Sequence, residues 1–73
     1  MTFLGIEPAR AAARRIQKEI KELQGDLNWN INAARFVDPG TDLGEHFRQR
    51  IEWLRARIAL LEERLAELGQ DDP

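Results

Sequence analysis

Seventy-three residues with 13 acidic and 11 basic side chains carry a formal charge of −2, so the chain as a whole offers no field that attracts polyanions. The absence of cysteine excludes disulfides and thiolate metal sites, and a lone histidine argues against an all-protein zinc centre. A chain this short buries a modest share of its surface, so with those supports gone the one left is association with another chain.

The N-terminal stretch Met1–Ile6 is apolar but lacks a basic leader and a cleavage site, so it reads as a short segment over residues 1–7 and not as a signal peptide. No apolar run approaches the length of a membrane span. The missing cysteines fit a reducing compartment, and a cytoplasmic location is expected.

Pro8 suits the first position of a helix, with Glu7 beside the positive helix end. From Ala9 an apolar stripe spaced by three and four runs through Ala13, Ile16, Ile20, Leu23, Leu27, Ala34 and Val37, predicting a helix over about 8–37. Two features compete with it. Gly25 allows a break, and Leu27–Ala33 alternates apolar with polar residues as a strand would. Helix is favoured there, because Leu27, Ile31 and Ala34 continue the stripe and a lone strand would have no partner.

Asp38-Pro39-Gly40-Thr41 forms a turn over 38–41: Pro39 disfavours helical angles at Asp38, and Gly40 accepts left-handed ones. Asp42 reads as the N-cap of a second helix over about 42–68, with Glu45 completing a capping box. The second stripe is Phe47, Ile51, Leu54, Ile58, Leu61, Leu65 and Leu68. Gly69 is placed to end the helix in a left-handed cap, and an acidic tail over 70–73 is expected to fray. The short connection forces the helices antiparallel. The predicted fold is therefore all-α, a two-helix antiparallel hairpin of coiled-coil type over residues 8–69, assembling into a four-helix bundle dimer.

With Ile20 and Ile51 at heptad position a, the flanking g rows are Ala12, Glu19, Asp26 and Ala33 on the first helix and Arg50, Arg57 and Arg64 on the second. Folding about the turn sets Asp26 between Arg50 and Arg57, and Glu19 between Arg57 and Arg64. Acidic row meets basic row. Asn30 takes a d position in the seam, where it either finds water or a backbone partner or acts as a register-setting polar residue.

Trp29, Phe36 and Trp53 occupy position c, next to g, and so emerge together on one side of the hairpin. Ala33 lies between them, His46 is near the turn, Arg50 and Arg57 border the group, and Leu60 extends it. These eight residues form the candidate protein interface. Monomers rarely expose such a patch, and aromatic anchors ringed by arginine match the composition of binding hot spots. Three occupants are open: a second copy of the chain, a different and larger protein, or the chain's own Phe3-Leu4-Ile6 segment.

Catalytic and metal chemistry find little support. Asp42 and His46 are correctly spaced as a ligand pair, but Glu45 and His46 are adjacent and diverge. There is no serine, cysteine or tyrosine, and nothing marks one carboxylate as a general base. No cofactor is expected. The functional expectation is a non-enzymatic interaction or assembly module: a small adaptor, an inhibitor, or a structural component, for instance of a phage particle. The competing reading is a nucleic-acid-associated accessory protein using Arg10, Arg14, Arg15, Lys18 and Lys21. Glu19, Glu22 and Asp26 interleave with those cations, as on an ordinary solvated helix face.

Overall fold

The computed structural model describes residues 3–70, with side chains described over 8–69. Two helices, α1 (Phe3–Ala34) and α2 (Asp42–Gln70), pack against each other along their length. No strand occurs among the described residues. The molecule measures 58 × 15 × 13 Å, which leaves room for one helix pair and no second layer.

α1 begins at Phe3, so the segment before Pro8 continues the helix instead of standing apart from it. The amides of any first turn lack helical partners, and Pro8, one turn further in, removes only the donor that would reach back to residue 4. The helix runs unbroken through Gly25 and the alternating Leu27–Ala33 stretch. Leu27, Asn30, Ile31 and Ala34 turn inward there, while Asn28, Trp29 and Asn32 stay exposed, which is a helical period.

α1 ends at Ala34, short of Val37. The amides of Arg35, Phe36 and Val37 donate to the carbonyls of Asn32, Ala33 and Ala34 at 3.3, 3.2 and 3.2 Å. These i→i−3 bonds tighten the chain ahead of the proline-restricted Asp38. The turn then closes without a left-handed residue: no described glycine, Gly40 included, has positive φ. Instead the amide and the hydroxyl of Thr41 both donate to the Asp38 carbonyl, at 3.2 and 2.7 Å.

Thr41, not Asp42, is the N-cap of α2. Its Oγ1 accepts the Gly44 amide at 3.1 Å, and its carbonyl accepts the Glu45 amide at 2.9 Å as the first bond of the helix. Asp42 lies within the first turn beside the positive helix end. At the other end Gly69 stays helical, so the expected left-handed cap is not used there. Residues 71–73 of the expected frayed tail lie outside the described residues.

Ile20, Leu54, Ile58 and Leu61 are buried, with Ile16, Leu23, Leu27 and Leu65 packed around them. All come from the two stripes, and Leu54 is fully enclosed. Asn30 is buried in the same seam, where its Nδ2 donates to the Asp26 carbonyl at 2.7 Å. It has found a backbone partner within its own helix. Gly44 is also buried: a Cβ there would run into the Asp38 carbonyl oxygen and come within 2.9 Å of the Pro39 Cα. The turn folds down onto α2 at a position without a side chain.

Candidate interaction face

The rows flanking the seam meet with opposite charge. Arg50 Nη2 lies 3.7 Å from Asp26 Oδ2, and Arg57 Nη2 lies 3.4 Å from Glu19 Oε2. Of the two arginines bracketing each acid, the one nearer the turn makes the pair. Both pairs are exposed to water, so each is worth well under ~1 kcal/mol. They tie α1 to α2 on the side that carries the aromatic residues.

Trp29 and Trp53 remain 66% and 52% exposed. The Trp29 ring meets Phe47 at 6.4 Å between centroids, tilted by 49°, and His46 sets its edge against Phe47 at 6.0 Å. The Arg50 guanidinium carbon sits 5.0 Å over the Trp53 ring, a separation at which the ring quadrupole attracts the cation. Arg50 therefore spans from Trp53 on its own helix to Asp26 on the other. An α1 aromatic and an α2 aromatic pair are thus joined across the hairpin through Phe47, with the Arg50–Trp53 stack one turn further along α2.

The remaining predicted residues divide. Ala33 is half-buried, Arg57 is held by Glu19, and Leu60 stands half-exposed one heptad beyond Trp53. Phe36 falls outside this group: it lies past the end of α1, where the tightened i→i−3 turn breaks the heptad phase, and it is 90% exposed. Two residues of the face were missed. Phe47 reads as a seam residue by its d position, yet it is only partly buried and its ring meets Trp29. Leu43, exposed in the first turn of α2, occupies g in the same row as Arg50. Its spacing of seven from Arg50 was the available signal.

The opposite face differs in kind. Arg48 bridges Glu45 and Glu52, donating from Nε to Glu45 at 3.0 Å and from Nη1 to Glu52 at 2.9 Å, with a further Nη2 bond to Glu45. Gln49 adds a bond to Glu45 at 3.3 Å. The Arg48 guanidinium holds the Glu45 carboxyl below its ordinary value, and the carboxylates raise Arg48 in return. Beside this network is an open recess of about 500 Å³, lined by Ala34, Val37, Pro39 and Ile51 together with the charged Arg35, Arg48, Glu52 and Arg55.

All the large apolar side chains that stand exposed among the described residues (Trp29, Phe36, Leu43, Trp53 and Leu60) occupy c or g positions or lie just beyond them at the turn. Among the described residues no three His, Asp or Glu side chains gather as metal ligands, and no helix is long and apolar enough to cross a membrane. No protein-family model matches the chain, and no curated protein or solved structure matches it.

Proposed function

We propose that this chain is a non-enzymatic interaction and assembly module acting through the Trp29–Phe47–Trp53 face, and that it self-associates there into a four-helix bundle dimer. The observation that carries this reading is that Trp29, Leu43, Trp53 and Leu60 stand exposed on one side of the hairpin, while the other side holds the Glu45–Arg48–Glu52 network. Among the described residues four apolar side chains are buried and only Leu54 fully so, which is little core for a helix pair, and packing a second pair against the aromatic side supplies the missing layer.

The available area suits this. A tryptophan buries about 150–250 Å² when covered, so the exposed parts of Trp29, Trp53, Leu43 and Leu60 come to roughly 400 Å² per copy. With Ala33 and the arginine stems added, a pair approaches the ~1,000 Å² total that a specific interface needs.

The test is the melting temperature as a function of protein concentration. A dimer becomes more stable as concentration rises. The native chain is expected to show that dependence, and W29A/W53A is expected to remain helical and lose it. Concentration-independent melting of the native chain would refute self-association.

A further inference from the structure

Resting on the self-association proposed above, we infer that the two copies align lengthwise, turn end against turn end, so that each α1 lies across from the α2 of the second copy. Two hairpins placed face to face can be related by a twofold axis in two ways. An axis along the hairpin brings turn to turn and sets α1 opposite α2. An axis across it sets turn toward open end and brings α1 opposite α1.

Charge separates the two. The α1 row on this face is acidic (Glu19, Asp26) and the α2 row is basic (Arg50, Arg57, Arg64). In the lengthwise arrangement Asp26 and Arg50 of one copy meet Arg50 and Asp26 of the other, an alternating ring in which each charge has opposite neighbours. Glu19 and Arg57 repeat the pattern two turns along. In the crosswise arrangement acidic row faces acidic row and arginine faces arginine, which opposes association.

The position of the apolar residues agrees. They run from Leu43 to Leu60 on α2 and stand at Trp29 on α1, while α1 continues with Glu22 and Arg15 and the open end of α2 carries Arg64 and Glu67. A crosswise dimer overlapping only at the turns would escape the charge clash but leave Trp53 and Leu60 beyond the partner. Lengthwise alignment brings the turn end of the strip, from Leu43 to Trp53 on α2, against Trp29 of the second copy. The register of the ion pairs puts Trp29 at the level of Phe47, so in the dimer it enters between His46 and Trp53 of the second copy.

Because the chain has no cysteine, introduced thiols report the alignment directly. A33C, at a g position near the lengthwise axis, is oxidised alone and mixed with A12C, which lies on the same row toward the open end. The expected result is a 33–33 linked dimer as the main product, with the mixed 33–12 species at background. A dimer that yields 33–12 product, or yields no 33–33 product, overturns the alignment while leaving self-association intact. A native chain that sediments as a monomer overturns the self-association itself.

Discussion

Gly44 and Gly25 are both helical glycines, and their surroundings give them opposite consequences. An added Cβ at Gly25 meets nothing within 4 Å, so Gly25→Ala removes the helix penalty of glycine and is expected to stabilise the chain by about 1 kcal/mol. At Gly44 the same methyl collides with the backbone of Asp38 and Pro39, and Gly44→Ala is expected to destabilise by roughly 1–3 kcal/mol. Thermal unfolding of the two variants checks the sign of each. Thr41→Ala should lose about 1 kcal/mol with the cap, and Asp42→Ala clearly less, since Asp42 offers only its charge to the helix end. The stabilising share of Glu45 is pH-dependent: its pKa is lowered in the fold by Arg48, so that share is present above the unfolded-state pKa and lost as pH falls through the folded one. The stability difference between the native chain and E45Q, followed by urea unfolding, should therefore close on the acid side.

The helices are where the sequence was most legible. Their stripes come from spacing alone, and the buried residues Ile20, Leu54, Ile58 and Leu61 are all stripe members. The meeting of acidic and basic rows followed from the same heptad phase, which set each acid between two arginines, and the structure pairs Asp26 with Arg50 and Glu19 with Arg57. What spacing could not reach was the geometry at the ends. The choice of Thr41 over Asp42 as cap depends on where the Asp38 carbonyl points, and the need for a glycine at 44 arises only once the turn has folded onto α2. Phe36 shows the same limit, because heptad phase carries no information past the last helical residue. At this scale the ion pairs orient more than they stabilise. A double-mutant cycle on Glu19 and Arg57 should return a coupling below about 1 kcal/mol that shrinks as salt is added. Leu54→Ala, by contrast, should lose roughly 2–5 kcal/mol.

As a whole molecule the hairpin is a single layer, 58 Å long and 13 to 15 Å across, with a wet side and an aromatic side. One side satisfies its charges internally through Glu45, Arg48 and Glu52. The other leaves tryptophan, leucine and the two charge rows facing outward, the surface on which self-association is proposed. Assembly on this side is thus the central claim, and sedimentation equilibrium of the native chain at micromolar concentration tests it most directly. The account predicts a species of twice the 8.4 kDa chain mass that reverts to monomer in W29A/W53A. A native chain that stays at the monomer mass across the concentration range would contradict it.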